Sequence, residues 1–412
     1  MSTTAGELRD LYGRLDALRD RGEVVEGTLA TLVGAPAATI GTDTEPHYVA
    51  LSYDTVTTML RDHQTFSSAG YAAVTELVLG PAIIAMDEPE HHERRALVQQ
   101  AFRPRAMERW EHAFTAPIVH RAIDRFAERG HADLMLELTL GFPIMVIAEI
   151  LGLPDHEVPS FHERAIRMVA MFEDPLDAAA AADEMRTMFK GLLDERRRSP
   201  RDDVVTDLCT AEVGGERLSD DEIESFLLTL LPAGAETTYR GTSNLLFALL
   251  SHPDQLAAVR ADRSLVPRAV EEGLRWECSP TAIGRTTTRE TELGGVRLPA
   301  GAGVSACLAA ANHDPNRWDR PGAFDIFRSR QPHVAFATGV HMCLGMHLAR
   351  MEMAVALRAV LDRLPELRLD PAATDPHIAG VLLRTPNGLP VRFEPVEPLS
   401  RESRRRAAPT SR

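Results

Sequence analysis

The sequence has few cysteines, and they lie far apart. The thiols of the 412-residue chain are Cys209, Cys278, Cys307 and Cys343. No Cys-x-x-Cys or His-x-x-x-His pair suggests a zinc site, and no dense cysteine framework suggests disulfide bonds. Reduced thiols fit a cytoplasmic protein best. Neither a disulfide-stabilised secreted domain nor a zinc-binding module is therefore expected.

A membrane span and a basic domain are also missing. The most apolar segment, residues 134–153, contains Glu137, Pro143 and Glu149, so it is better interpreted as a buried core helix than as a membrane helix. The first twenty residues are polar and contain neither the apolar region of a signal peptide nor an anchor. The net charge of −15 argues against a nucleic acid as the partner. We expect a soluble monomer that binds neither membranes nor nucleic acid.

Helical patterns dominate the sequence. They cover most of residues 90–278 and return over residues 344–363. Residues 281–310 are rich in Thr, Gly, Val and Pro and show the alternation of short strands, and a β-like tail covers residues 380–394. Residues 69–82 are predicted to be a loop. The pattern predicts a mainly α fold with a small β portion.

The chain shows no internal repeat and no clear linker. Length alone permits one large domain or two to three smaller ones. We predict a single domain over residues 1–399 and a disordered tail, rich in Arg and Ser, over residues 400–412. Lys190 is the only lysine, whereas arginine is abundant. We interpret this bias as the codon usage of a GC-rich bacterial genome.

The most informative segment is the decapeptide over residues 336–345. Cys343 lies in it between two glycines, with His341 two positions and Phe336 seven positions before it. A long apolar helical pattern begins immediately afterwards. A loop that brings a thiolate to a large flat ligand, followed by a buried helix, is typical of thiolate ligation of haem iron. A cysteine alone is more often a small hydrophobic residue than a ligand, so the surrounding residues decide.

These residues resemble the cysteine-ligand loop of the cytochrome P-450 superfamily, the haem-thiolate monooxygenases. All five defining positions of the pattern Phe-x-x-Gly-x-His/Arg-x-Cys-x-Gly are present. The resemblance covers about residues 40–395 and implies the triangular, mostly helical haem-thiolate fold. It also implies that Cys343 binds the iron of haem b and that His341 helps to bind the haem.

A second motif interrupts the long helix predicted over residues 220–250. Pro232, a glycine and two adjacent threonines are poor helix formers, so we expect a local distortion around residues 232–238. The stretch resembles the family motif Ala/Gly-Gly-x-Asp/Glu-Thr. The resemblance implies that Thr237 hydrogen-bonds the bound oxygen and that Glu236 belongs to the proton relay. A helix kink without a catalytic role is the alternative.

Basic residues at three further places resemble the family's haem-propionate ligands. His91 and Arg95 are four positions apart and share one face of a predicted helix. They match the family's His-x-x-x-Arg segment, and Arg285 matches the strand arginine that reaches a propionate. The fork of an arginine side chain suits a carboxylate. An exposed His/Arg pair with nearby acids is the alternative for His91 and Arg95.

One ion pair is predicted to be structural. Glu272 and Arg275 lie one helical turn apart and resemble the family's buried Glu-x-x-Arg pair behind the haem. Taken alone, such a spacing usually indicates a solvated ion pair. Family members often add an arginine before a later Phe, but Ala323 occupies that place here, with Arg328 as the candidate replacement.

The order of the motifs matches the family throughout, and its chemistry is therefore expected. The resemblance implies that the protein inserts one oxygen atom from O₂ into an apolar small molecule, by hydroxylation or epoxidation, in secondary, lipid, terpenoid or steroid metabolism. The thiolate would favour O–O cleavage. No flavin or iron–sulfur domain follows residue 395, so electrons are expected from a separate ferredoxin and its reductase.

Two larger sets of residues are assigned to substrate and partner. Arginines expected to form a basic docking surface for the electron donor are Arg103, Arg105, Arg328 and Arg330, with a solvated set of side chains as the alternative. Candidates for the substrate pocket are Ala233, Ile283 and Val381, residues 69–79, and an apolar lid with Met168, Met171 and Phe172. Helix packing is the alternative for the lid.

Three other functions stay open at this point. A peroxide-driven haem peroxygenase would use the same haem, although such family members tend to lack the acid–alcohol pair of Glu236 and Thr237. A non-catalytic haem-binding protein would tolerate the loss of Thr237, which this chain keeps. A haem-free helical protein would require all the motif matches to be coincidental. The identity of the substrate does not follow from the sequence.

Overall fold

Helices form most of the protein, as the sequence pattern predicts. The computed structural model describes residues 8–35, 46–169 and 174–399, and 55% of the structure is helical. The helices up to residue 210 are α1 (Leu11–Arg19), α2 (Leu29–Leu32), α3 (Tyr53–Arg61), α4 (Ala72–Leu79), α5 (Glu90–Val98), α6 (Pro104–Trp110), α7 (Ala116–Asp124), α8 (Phe142–Ile150), α9 (Val158–Val169), α10 (Pro175–Arg198) and α11 (Val204–Thr210). Those that follow are α12 (Asp220–Leu230), α13 (Thr237–Ser251), α14 (Pro253–Ala261), α15 (Val266–Trp276), α16 (Leu308–Asn312) and α17 (Met346–Arg363).

The β portion consists of short strands in small sheets. The strands are β1 (Val24–Glu26), β2 (His47–Ala50), β3 (Phe66–Ser67), β4 (His131–Asp133), β5 (Ala282–Thr287), β6 (Thr291–Leu293), β7 (Val296–Leu298), β8 (Gly303–Cys307), β9 (Arg368–Leu369), β10 (Ile378–Ala379), β11 (Thr385–Pro386) and β12 (Pro390–Arg392). The largest sheet has the order β1-β2-β8-β5-β3, in which only β2 and β8 are parallel. It joins the beginning of the chain to residues 282–307. The other sheets are β4-β12-β9 and the two-stranded pairs β6-β7 and β10-β11.

The helices and sheets pack around two apolar cores. The larger core is helical and includes the buried faces of α8, α13 and α17. The smaller core lies around the five-stranded sheet and the first three helices. Helix α13 is buried along most of its length, from Thr238 to Leu250, and packs against α15 and α17. It therefore runs through the interior, and its polar residues, among them Arg240 and Asn244, are buried with it.

The prediction of a loop over residues 69–82 is wrong. The segment contains α4, with a 3₁₀ turn on either side of it. Val78 and Leu79 are buried in the larger core, and Arg186 donates to the carbonyl of Val78 at 2.8 Å. The isolated segment is too short and too weakly patterned to indicate a helix, so packing against α10 and α12 determines its structure.

Two predicted features lie outside the part of the chain that the structure describes. Met171 and Phe172 of the predicted lid lie outside the described residues, and so does the predicted tail over residues 400–412. Among the described helices, none combines the length and the apolar character that crossing a bilayer requires.

Candidate active site

The Cys343 loop connects residue 334 to the start of α17. The backbone N–H of Cys343 donates to the carbonyl of Phe336 at 3.0 Å, which closes the loop. Gly339 has φ +80°, and a Cβ there would lie 2.2 Å from the carbonyl oxygen of Leu60, so only glycine fits. A Cβ on Gly345 would meet nothing within 4 Å. Gly339 therefore allows two backbone segments to pack closely, and Gly345 leaves open space near the thiol.

The Cys343 thiol lies in a recess. Its side chain is exposed, yet it is surrounded by enough protein that burial raises the pKa of the thiol. The N–H of Gly345 and the charges of Arg95 and Arg350 lower that pKa in turn and favour the thiolate. An accessible thiol with a nearby N–H donor and two cations is suited to binding a metal as a thiolate.

Basic side chains gather on one side of this loop. Arg95 on α5 donates to the carbonyl of Met342 at 2.6 Å, and the rings of His91 and His341 have their centroids 3.9 Å apart. Burial lowers the pKa of His341 to about 3, and the charges of Arg285, His91 and Arg95 contribute. The structure thus brings together the four basic residues that the sequence assigns to a haem propionate site.

The arginines of this group have no acidic partner in the described part of the chain. Arg95 forms no ion pair there and hydrogen-bonds a carbonyl, and Arg285 on β5, only 7% exposed, donates to the carbonyl of Gly284 at 2.6 Å. Burial lowers the pKa of Arg285, and nearby Tyr71 and Asp87 oppose that shift. A buried guanidinium group without an ion-pair partner, as at Arg285, is costly. A ligand that brings two carboxylates, as haem does, fits these donors.

The donor set also limits which metal centre is compatible. Over residues 8–35, 46–169 and 174–399, no three His, Cys, Asp or Glu side chains gather around one point where a metal ion would fit. An iron bound through Cys343 would thus take its other ligands from elsewhere, as haem iron does from its porphyrin. The thiol and the four basic groups together fit a haem.

The predicted distortion of the central helix is present. A π-helical segment, Leu231–Glu236, separates α12 from α13 and contains Pro232. A π segment often marks a functional site, because it widens the helix and redirects its side chains. The hydroxyl of Thr237 donates to the carbonyl of Ala233 at 2.8 Å. Glu236 is 5% exposed, and its carboxylate accepts a hydrogen bond from Arg240 at 2.9 Å.

The Glu272–Arg275 pair is buried. The guanidinium donates to both carboxylate oxygens, at 2.8 and 2.7 Å, and the side chains are 6% and 2% exposed. Arg275 also donates to the carbonyl of Ala323 at 3.0 Å. Arg328 lies 3.4 Å from Glu272 and donates to the same Ala323 carbonyl at 2.9 Å. Arg328 thus occupies the third place in the network.

Sequence reasoning did not single out several residues that support the site. Arg350 on α17 forms a two-pronged ion pair with Glu271, at 2.6 and 3.0 Å, and lies 4.4 Å from the centroid of the Phe336 ring. Burial raises the pKa of Glu271, but hydrogen bonds from His333 and Arg350 outweigh it and lower the pKa to about 2. These contacts fix the Cys343 loop against α15. The only signal in the sequence is the apolar helical pattern that contains Arg350.

Glu352 is a second residue that the sequence did not indicate. It is 2% exposed, and burial raises its pKa well above the usual value, while a hydrogen bond with Thr238 opposes that shift. It connects α17 to the first turn of α13. Burial therefore favours the protonated form of the Glu352 carboxyl group, next to the residue that follows Thr237.

The candidates for the substrate pocket divide into two groups. Ala233 is exposed and Ile283 is half-buried, so both face accessible space. Val381 is 3% exposed and packs in the smaller core, so its side chain does not line open space as predicted. The reason is that residues 380–384 turn back between β10 and β11 and direct this side chain into the core. Met168 is fully buried in the larger core, which fits helix packing and not an exposed lid.

Comparisons with known proteins identify the family. The cytochrome P-450 family model matches residues 168–389. The cytochrome P-450 monooxygenase PikC of Streptomyces venezuelae is 36% identical over 336 residues, which are 78% of this chain and 79% of the relative. A steroid C26-monooxygenase of Mycolicibacterium smegmatis is 34% identical over 357 residues, 85% of this chain and 88% of the relative.

A solved structure extends the match to the fold. A cytochrome P-450 from Chondromyces apiculatus has a TM-score of 0.85 and 34% sequence identity, and the match covers 94% of this chain and 96% of that chain. The family match covers more than half of the sequence and contains the central-helix motif, the Glu272–Arg275 pair and Cys343. The chain belongs to the cytochrome P-450 superfamily of haem-iron monooxygenases.

Proposed function

We propose that the protein binds haem b through Cys343 and inserts one atom of O₂ into an apolar small molecule, by hydroxylation or epoxidation. Electrons come from a separate ferredoxin and reductase. The observation that carries the proposal is the accessible Cys343 thiol beside Arg95 and Arg285, two guanidinium groups that form no ion pair with a described carboxylate. The relatives include a steroid C26-monooxygenase and a cyclomarin C epoxidase. This range supports a large apolar substrate.

The residues around the site have separate tasks. Bound haem supplies the iron chemistry that activates oxygen and carries the oxidation. Burial raises the pKa of the Cys343 thiol, and the N–H of Gly345 and the charges of Arg95 and Arg350 oppose that rise. Arg95, Arg285, His91 and His341 would hold the propionates, and the His341 ring has an N–H to donate in either protonation state.

The central helix supplies protons and space. The Thr237 hydroxyl donates to the carbonyl of Ala233. When the hydroxyl rotates towards a ligand instead, the main chain loses only this one hydrogen bond. Glu236 is the carboxylate that accepts a proton and passes it on. Ala233 has little bulk and is exposed, whereas a Cβ on Gly234 would be directed at Ile147 of α8, 3.4 Å away. A small diatomic molecule and the substrate can therefore approach the helix here.

The propionate assignment predicts weaker haem retention in Arg285→Gln. A hydrogen bond to a charged group is worth roughly 1.5–3 kcal/mol, so the rate of haem loss to a scavenger protein should rise about tenfold or more. Arg121→Gln, at an exposed arginine of α7, is the control and should lose haem at the wild-type rate. Equal rates for Arg285→Gln and the wild type would contradict the assignment.

The role of Thr237 predicts uncoupling in Thr237→Ala. Oxygen and reduced nicotinamide should still be consumed, but less product and more peroxide should form, because the hydroxyl no longer directs protons. The ratio of product to reduced nicotinamide consumed measures this effect. Thr229→Ala is the matched control, since that hydroxyl also donates to the carbonyl four residues before it, at 2.8 Å. An unchanged ratio in Thr237→Ala would refute the role.

An acidic electron donor requires an accessible basic surface. Arg103, Arg105 and Arg330 are exposed, whereas Arg328 is held by Glu272 and is not available, contrary to the prediction. A recess of about 450 Å³ behind the Cys343 loop has Arg268 and Arg330 in its wall, whereas its Arg350 and Arg358 form ion pairs with Glu271 and Glu111. The recess and the exposed arginines form the proposed docking surface for ferredoxin.

This docking surface predicts salt-sensitive electron transfer. The rate of reduction by an acidic ferredoxin should fall as ionic strength rises, since exposed charges are screened. Arg330→Glu should raise the KM for ferredoxin several-fold and leave the kcat unchanged. Arg297→Glu, on the β6-β7 pair, is the control, because Arg297 is also exposed. A salt-independent rate together with an unchanged KM would contradict the surface.

A further inference from the structure

Arg240 is a buried charged residue one helical turn after Glu236. It is 6% exposed, on α13. Its Nη2 donates to Oε1 of Glu236 at 2.9 Å, and its guanidinium lies 5.0 Å from the centroid of the Tyr239 ring. A carboxylate in the protein interior is stable in its charged form only beside a partner of opposite charge. Arg240 is a cationic partner of Glu236 in the structure.

The other end of the guanidinium is tied to the main chain. Nη1 of Arg240 donates to the carbonyl of Leu383 at 2.6 Å. Leu383 belongs to the turn over residues 380–384, which connects β10 to β11. A guanidinium that is fixed at one nitrogen by a carbonyl and at the other by a carboxylate has little freedom to rotate. The position of the Glu236 carboxylate is therefore fixed relative to this turn.

The turn itself is held by hydrogen bonds at every carbonyl. Its five consecutive carbonyl oxygens accept from the following donors: Gly380 from Arg384 at 2.6 Å, Val381 from the Thr281 hydroxyl at 2.6 Å, Leu382 from the Thr281 N–H at 2.8 Å, Leu383 from Arg240, and Arg384 from Asn244 at 3.2 Å. So many donors to consecutive carbonyls make the turn a rigid support. Two of these donors, Arg240 and Asn244, lie one turn apart on the same face of α13.

We infer that Arg240 is a positioning residue for the proton relay: it keeps Glu236 ionised between proton transfers and fixes its direction relative to Thr237. The inference rests on the proposed function of Glu236. It adds that the charge and the orientation of Glu236 depend on Arg240 of the same helix and on the turn over residues 380–384. A change at Arg240 should therefore alter proton delivery even where haem and substrate still bind.

A purely structural role for Arg240 makes a different prediction. In that case Arg240 only attaches α13 to the turn, and removing any donor to the turn should have the same effect. Asn244 tests this directly, because it is 0% exposed, donates to the same turn and forms none of its hydrogen bonds with Glu236. Asn244→Ala loosens the turn but leaves the Glu236–Arg240 pair in place.

The experiment compares Arg240→Gln, Arg240→Lys, Asn244→Ala, Glu236→Gln and the double variant Arg240→Gln/Glu236→Gln, all as holoenzymes. One readout is the ratio of product to reduced nicotinamide consumed, together with the rate of product formation. The other is the infrared spectrum of the ferric resting enzyme, which requires no turnover. The carbonyl stretch of a protonated carboxylic acid is the band of interest.

Arg240→Gln is expected to lower the rate of product formation by about tenfold or more, because a positioned proton donor contributes roughly 10²–10⁴-fold to a rate. Its infrared spectrum should gain an acid band that the double variant lacks, since an enclosed Glu236 without its cation takes up a proton. Arg240→Lys keeps the charge and should show no acid band, with a ratio between those of the wild type and Arg240→Gln. Asn244→Ala should keep the wild-type ratio.

The inference is overturned by a wild-type ratio in Arg240→Gln, by equal losses in Arg240→Gln and Asn244→Ala, or by the absence of the acid band. If Arg240→Gln does not retain haem, the ratio of product to reduced nicotinamide consumed is compared between Arg240→Lys and Asn244→Ala instead. A lower ratio in Arg240→Lys supports the inference, and equal ratios overturn it. If the ratio falls in Glu236→Gln but not in Arg240→Gln, the inference about Arg240 is overturned and the proposed function is not. A wild-type ratio in Glu236→Gln overturns the relay of the proposed function as well.

Discussion

Cys343→Ser is expected to abolish monooxygenase activity. A serine hydroxyl is far less acidic than a thiol and does not give iron the electron-rich ligand that favours O–O cleavage. Arg95, Arg285, His91 and His341 remain in the variant, so residual haem binding through the propionates is expected. Activity should fall to the level of haem in solution, and the reduced, carbon-monoxide-bound protein should lose any red-shifted Soret band.

Cys209→Ser is the matched control for this variant. Cys209 is half-buried at the end of α11, and burial raises the pKa of its thiol. Its replacement should leave both the spectrum and the activity at wild-type levels. Activity in Cys343→Ser within a few-fold of the wild type would mean that another residue binds the iron.

Arg275→Ala is expected to cause the largest loss of stability. Breaking a buried ion pair from one side costs about 3–5 kcal/mol, because the remaining charge stays enclosed without a partner. Glu272 is 6% exposed and, among the described residues, keeps Arg328, at 3.4 Å, and the N–H of Asp325, at 2.9 Å. Arg275 further bonds the carbonyls of Asn312 and Pro321. The free energy of unfolding in denaturant measures the cost, and the yield of haem-loaded protein should fall with it.

Arg297→Ala is the control for the ion pair. Arg297 and Glu290 also form a close pair, but their side chains are 78% and 58% exposed. Exposed pairs contribute about 0–1 kcal/mol, so the free energy of unfolding should change little. A similarly small change in Arg275→Ala would show that the buried network is not what stabilises the region behind the Cys343 loop.

The sequence predicted the short motifs well, because each of them depends on neighbouring residues. The spacing of His91 and Arg95 requires only one helical turn, and the distortion at Pro232 follows from its missing N–H. The family resemblance then indicated that these segments meet at Cys343. The fold that results agrees with the solved relatives.

Contacts between distant segments could not be predicted in this way. Arg350 and Glu271 are 79 positions apart, and Arg240 and Leu383 are 143 positions apart. Helix α4 likewise forms because Val78 and Leu79 reach the core. In each case, the decisive partner comes from packing that no local pattern encodes.

The substrate pocket shows the same limit. Ala233 and Ile283 face accessible space, as predicted, whereas Val381 is directed into the core by the turn over residues 380–384. That turn nevertheless bears on the site, because its Leu383 carbonyl holds Arg240. The turn over residues 380–384 is therefore linked to Glu236 through the hydrogen bonds of Arg240.

The absorption spectrum of the purified wild-type protein, reduced and bound to carbon monoxide, tests the central claim most directly. The claim is that Cys343 binds haem iron as a thiolate in the recess beside Arg95 and Arg285. We expect a red-shifted Soret band, because a thiolate opposite carbon monoxide donates electron density to the iron. A haem spectrum without that band, or no bound haem after reconstitution, would contradict the claim.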